Sequence, residues 1–123
     1  MNKKESINVF GEKLKSCCNN PKTGFFRNGF CDTSNEDRGV HTVCVLATKE
    51  FLEFSKSIGN DLSTPNPMYQ FQGVKPGDRW CLCALRWKQA YENGMAPPVI
   101  LDSTHIDTLK FIDLNTLKQY SLN

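Results

Sequence analysis

Asp78-Arg79-Trp80-Cys81-Leu82-Cys83-Ala84-Leu85-Arg86-Trp87-Lys88-Gln89-Ala90-Tyr91 admits two readings, and the architecture follows from which one holds. Trp80, Cys83, Ala84, Trp87 and Tyr91 recur at helical spacing as far as Asn93-Gly94, with Asp78 after Pro76-Gly77 as a cap. We read the stretch as a helical stripe that buries both tryptophans. The competing reading takes 79–83 as a short strand, from the alternation of Trp80 and Leu82, and starts the helix near Ala84. The difference is chemical. On a strand Cys81 and Cys83 point to one face and a single metal ion can bridge them; on a helix they lie about 200° apart and cannot share an ion. The helical reading also puts Arg79 and Arg86 on one face, able to grip a carboxylate or phosphate, or more simply solvated beside Asp78 and Glu92.

Working upstream, His41-Thr42-Val43-Cys44-Val45-Leu46-Ala47 is rich in β-branched residues and reads as a strand. Thr48 follows as an N-cap, and Phe51, Leu52, Phe54 and Ser55 define a helix over about 49–58 that stops at Gly59-Asn60. Residues 60–77 hold Pro65, Pro67, Gly73, Pro76 and Gly77 without a period, which predicts a long ordered loop or a broken edge strand. The first forty residues are turn-rich, and Asn28-Gly29 between Phe26 and Phe30 suggests a tight hairpin turn with both central residues at positive φ. Downstream, Val99-Ile100-Leu101 reads as a second strand, Phe111-Ile112 as a third, and Leu114 to Tyr120 as a terminal helix capped by Asp113. Together these predict an α+β fold: a compact two-layer α/β sandwich with a small sheet, about three helices and long ordered loops. Residues 1–123 form one domain, with 1–6 expected as a mobile tail.

Composition is consistent with that size of fold. A chain of 123 residues, 39% hydrophobic and 11% aromatic, can build its own core. Its net charge of +2 is too weak a field to argue for nucleic acid or an anionic membrane. Lys3-Lys4-Glu5-Ser6 leads only to a short apolar run, so no secretory signal is expected, and no stretch approaches the length of a membrane span. The expected compartment is the cytoplasm, where thiols stay reduced.

The clearest chemical feature is six cysteines, Cys17, Cys18, Cys31, Cys44, Cys81 and Cys83. In a reducing compartment these read first as small core residues, then as metal ligands, then as reactive thiols. Paired clips of the zinc-finger type are absent. The candidate metal ligands are Cys31, Cys44, Cys81, Cys83, His41 and His105, with zinc or copper as the ion. His41 and Cys44 are three apart on a strand and face opposite ways, which weakens a direct pair between them. Asp102 stands close enough in sequence to orient His105, though a turn is its simpler role.

Pro21-Lys22-Thr23-Gly24-Phe25-Phe26-Arg27, His41-Thr42-Val43-Cys44, Asn60-Asp61-Leu62-Ser63-Thr64-Pro65, Lys75-Pro76-Gly77-Asp78-Arg79-Trp80-Cys81-Leu82-Cys83 and Ala96-Pro97-Pro98-Val99 form a specific set. From about Asn8 to Leu117 the chain resembles the family catalogued as domain of unknown function 2237. The resemblance implies a single-domain bacterial protein with a two-layer α/β sandwich, and no particular activity. It also implies thiols at Cys17, Cys31, Cys44, Cys81 and Cys83 and histidines at His41 and His105. The chain departs from the pattern at Phe30, where relatives often carry cysteine, at Cys18 in place of serine, and at Ile106 in place of glutamate.

Three functions follow. The first is an accessory or binding protein with mainly buried, reduced cysteines, whose loop at Asn60-Asp61-Ser63-Thr64 contacts a protein partner or a small molecule. The second is a metal-thiolate protein. The third is a thiol-dependent enzyme or redox protein acting through Cys31, or through Cys81 beside Arg79. Whether the chain is an enzyme stays open at this point.

Overall fold

The computed structural model describes residues 3–18, 23–69 and 71–122. The decisive stretch is a strand followed by a helix: β1 (His41–Leu46) pairs antiparallel with β2 (Arg79–Cys83), and α2 (Ala84–Glu92) starts directly after β2. The helical stripe through Trp80 is therefore corrected. Local periodicity permits it, but pairing with β1 matches Val43 to Leu82 and Val45 to Trp80 on one face and Cys44 to Cys81 on the other. Every inward position of the strand thereby finds a buried partner, and this tertiary gain outweighs helix propensity. Burial of both tryptophans holds on either reading, and Trp80 and Trp87 are indeed buried. Arg79 and Arg86 now belong to different elements and share no helix face.

The chain forms a small α+β fold, with three α-helices beside the two-stranded sheet among the described residues. Val43, Val45, Trp80 and Leu82 pack with α1 (Lys49–Ser57) and α2 into the main core around Trp87 and Phe51. Helix α1 begins where expected, with the Thr48 hydroxyl accepting from Phe51 N at 3.1 Å. The opposite face of the sheet is covered by the N-terminal loops, and there Cys17, Cys31, Cys44, Cys81 and Ile100 form a second core.

The remaining expectations are met in part. Val99 bridges to Val45, so a strand-like contact forms, but Leu101–Ser103 turns into a 3₁₀ helix instead of continuing it. Phe111 ends the 3₁₀ helix Ile106–Lys110 and forms no strand. Helix α3 (Leu114–Lys118) is shorter than expected, and Asp113 caps it without a side-chain hydrogen bond. The turn at 28–29 is no two-residue hairpin, since positive φ falls on Arg27 and Gly29, while the Asn28 side chain accepts from Phe30 N.

Loops this deep need their backbone polar groups satisfied, and side chains do it. The Thr23 hydroxyl accepts from Cys81 N at 2.7 Å, and the Thr104 hydroxyl accepts from Cys44 N at 3.1 Å. Among the described residues no buried side-chain nitrogen or oxygen lacks a partner. Of the segment read as a tail, residues 3–6 are tied down: Lys3 pairs with Asp32, Lys4 with Asp107 at 2.7 Å, and Ser6 donates to Asp32. No helix is long and apolar enough to cross a membrane, among the described residues.

Candidate functional site

Two places concentrate chemistry, and they meet at β2, where Cys81 belongs to the first and also lines the second. The first is the buried cysteine core. Cys44 and Cys81 are cross-strand neighbours, and each is bonded to a cysteine from the N-terminal loops: Cys17 to Cys44, with Cα atoms 5.7 Å apart, and Cys31 to Cys81, with Cα atoms 5.3 Å apart. All four are at most 3% exposed. The expectation of mainly reduced cysteines is thus corrected: burial holds for these four, but they are disulfide-bonded, and only Cys18 and Cys83 keep free thiols. Among the described residues the N-terminal loops carry no named strand or helix, and the two bridges, with the Thr23 hydroxyl on Cys81 N, anchor them on the sheet. With Cys31 and Cys81 bonded and buried, the thiol-enzyme reading cannot run through either of them in this state.

The second place is a cleft of about 620 Å³. Its chemistry comes from Arg27, His41, Asp61, Cys83 and Arg86, set among the rings of Phe25, Tyr69, Phe71 and Trp80. His41 and Cys83 are register partners at the open end of the strand pair, next to an irregularity between His41 and Val43. Imidazole and thiol both line the cleft. The turn before β1 makes the approach possible: Val40 has φ 49°, a conformation rare for a β-branched residue, and its carbonyl accepts from Ala84 N at the start of α2.

Asp37 fixes the imidazole. Its Oδ1 lies 2.6 Å from His41 Nδ1, while its Oδ2 accepts from His41 N and from the Thr33 hydroxyl. The Asp37 side chain is fully buried, whereas that of His41 is 42% exposed. A buried carboxylate on Nδ1 sets the tautomer with the proton on that nitrogen and leaves Nε2 free to accept one. Phe25 stacks on the other side of the ring at 6.5 Å, and Gly39 lies against its edge, where a Cβ would come within 2.5 Å of Cε1. Ring position is therefore set on three sides.

Arg27 projects over the Trp80 ring at 5.2 Å and Phe71 meets the same ring edge-on, so the indole anchors the cation at the cleft wall. Asp61 turns its charge inward on its own loop: Oδ2 accepts from the Thr64 hydroxyl at 2.6 Å, and Oδ1 from Ser63 N and Thr64 N. The Thr64 hydroxyl, ahead of these backbone donors, holds the Asp61 carboxyl below the usual aspartate range. The loop at Asn60-Asp61-Ser63-Thr64 is therefore ordered at the rim of the cleft.

Five of the six residues proposed from sequence as metal ligands fall in these two places. Cys31, Cys44 and Cys81 lie in the cysteine core, where Cys17 joins them; His41 and Cys83 face the cleft. His105 stands apart, buried, its Nε2 against Glu5 O at 2.8 Å and its Nδ1 accepting from Asp107 N. Asp102 makes an ion pair with Lys15. Sequence reasoning missed Asp37 and Arg27 as site residues. A carboxylate one helical turn before a strand-leading histidine was the available signal for Asp37, and the turn-rich surroundings concealed it. A search of curated proteins finds no match. The family model described as an uncharacterized protein conserved in bacteria (DUF2237) matches residues 7–121, more than nine-tenths of the chain, and the protein belongs to that family.

Proposed function

We propose that the cleft binds a small organic anion and that Cys83 is its nucleophile, making the protein a thiol-dependent small-molecule enzyme within a single cytoplasmic domain. The observation that carries this reading is the Asp37–His41 pair, whose imidazole lines the same cleft as the one free thiol there, Cys83. A nucleophile, a base and a group orienting the base make up the general arrangement for covalent catalysis. In the step so assigned, His41 Nε2 takes the thiol proton and Cys83 Sγ bonds to an electrophilic carbonyl carbon of the ligand. The displaced π electron pair goes to the ligand's oxygen, and the proton on Nε2 is then available to that oxygen or to a leaving group. Arg27 and Arg86 supply the positive charge for an anionic ligand, and the aromatic walls suit an apolar body.

Alkylation tests this directly on the oxidised protein. Cys83 should react faster than Cys18 at neutral pH, and faster with iodoacetate than its intrinsic preference for iodoacetamide allows, because the arginines attract the anion. Asp37→Asn and His41→Ala should each slow Cys83 by about 10²-fold or more, within the range of general-base contributions. Equal rates for Cys83 and Cys18, or a Cys83 rate unmoved in both variants, would overturn the assignment.

A further inference from the structure

We infer that the four buried cysteines are a metal site in their reduced state, with Cys17, Cys31, Cys44 and Cys81 holding one zinc ion as a tetrathiolate. This inference does not rest on the reading of the cleft, although Cys81 lines both.

The sulfurs of Cys17, Cys31 and Cys81 all lie within 4.8 Å of one another, and that of Cys44 is bonded to Cys17. A zinc ion with Zn–S bonds of about 2.3 Å needs its four sulfurs about 3.8 Å apart. Bonded sulfurs must therefore separate by somewhat under about 2 Å, and those of Cys31 and Cys81 close on that of Cys17 by up to about 1 Å, movements of the kind that cysteine χ1 rotation supplies. The backbone is already placed. Cys44 and Cys81 are fixed by sheet register, Cys81 N and Cys44 N are held by threonine hydroxyls, and Cys17 N donates to Gly29 O. The surroundings are apolar, with Ile100 and Leu46 against the sulfurs, and keep water out. A closed site with four protein ligands and no access for substrate is the form of a structural zinc centre.

The same four atoms thus have two stable covalent arrangements. In the first, two S–S bonds join them. In the second, two equivalents of a dithiol have reduced both bridges, becoming two disulfides themselves, and zinc has displaced the four thiol protons. In a reducing cytoplasm the second arrangement is the one favoured, and it explains why loops with no secondary structure keep their anchor when the bridges open.

The test uses the full chain, reduced with a dithiol, desalted without oxygen and titrated with Zn²⁺, then with Co²⁺. One ion per chain should bind, four thiols should become resistant to alkylation until a chelator is added, and Co²⁺ should give the intense ultraviolet bands of thiolate ligation. Cys31→Ala should weaken Zn²⁺ by more than about 100-fold, beyond the roughly 10- to 100-fold of outer-shell changes. Cys83→Ala and His41→Ala should leave uptake unchanged. If the reduced chain loses its circular dichroism, Zn²⁺ should restore it; a chain that stays unfolded with Zn²⁺ overturns the inference. So does a folded, reduced chain that takes up no metal, or one whose uptake survives Cys31→Ala and is lost with Cys83→Ala, which would place the ion in the cleft.

Discussion

Replacing Cys31 and Cys81 together by alanine removes one covalent link without leaving an odd thiol, and the cost can be worked from the chain. The bridge closes a segment of sequence separation 50, and that between Cys17 and Cys44 one of 27. In the chain-entropy account these correspond to about 4.1 and about 3.6 kcal/mol at 25 °C. For a 123-residue domain, with an unfolding entropy of about 2.1 cal/mol/K per residue, that is a fall in Tm of about 16 and about 14 °C. The two loops overlap between Cys31 and Cys44, so once one bridge is closed the other restrains a chain already shortened, and removing both should cost less than the two losses added. The assay is urea unfolding of metal-free protein under air, with the closed bridge of each variant verified by mass after alkylation. Cys31→Ala/Cys81→Ala and Cys17→Ala/Cys44→Ala should both unfold at lower urea, with Cys31→Ala/Cys81→Ala the weaker of the two. A loss under about 1 kcal/mol in either variant would refute the reasoning, because a covalent link of this span cannot be so nearly neutral unless the wild-type sulfurs are unbonded.

Three further outcomes are expected. Trp87→Ala should destabilise the domain by about 3–5 kcal/mol in the same urea assay, since the ring is wholly buried, packs on Tyr91 and Tyr120 and donates to Pro97 O at 3.1 Å. Thr23→Val keeps side-chain shape but leaves Cys81 N unpaired in the interior, and should cost about 1–3 kcal/mol by thermal or urea unfolding. Burial pushes the Asp107 carboxyl up, yet the bond from Lys4 and the charges of Lys4 and Lys110 outweigh it and hold the carboxyl below its ordinary 3.8. A carboxylate lowered on folding gives stability that is present above its unfolded pKa and lost as pH falls through the folded one. Lys4→Met should therefore flatten the decline in Tm below about pH 4 that the wild type shows in an acid series; an unchanged slope would remove Lys4 from that role.

Much of the fold is legible in the residues, and where legibility fails the cause is tertiary. β1 is evident because Thr42, Val43 and Val45 are β-branched, and α1 because Thr48 caps it. β2 is ambiguous because tryptophan at 80 and 87 satisfies either period; only the partner strand, unseen in the local pattern, decides it. Val99 to Leu101 looks like a strand because β-branched residues suit the edge of β1, but only Val99 bridges, to Val45 and to Ser121, before Ser103 and Thr104 turn the chain back. The candidate site was half visible. His41 and Cys83 stand out by residue type, whereas their register partnership and the buried Asp37 beneath them require the pairing to be known. The bridges are hidden because six cysteines allow many pairings and sequence separation supplies no distances, so which thiols meet is decided only by the fold.

Cys81 and Cys83 are two positions apart on one strand, and this links the cysteine core to the cleft. The segment from Thr23 to Cys31 carries Phe25 and Arg27 into the cleft, and it is clasped to Cys81 at both ends, by the Thr23 hydroxyl on Cys81 N and by the Cys31 sulfur on the Cys81 sulfur. Opening that bridge releases one clasp of the element that stacks on His41 and holds the Arg27 guanidinium over Trp80. Zinc held by the same four sulfurs would restore the clasp in another form. It follows that Cys83 reactivity should depend on the state of a core it does not belong to: fast in the bridged chain, slower after reduction, and recovered when Zn²⁺ is added to the reduced chain. If the Cys83 rate is the same in all three states, the Thr23 clasp alone suffices to place Phe25 and Arg27, and the cleft and the cysteine core are independent despite sharing a strand.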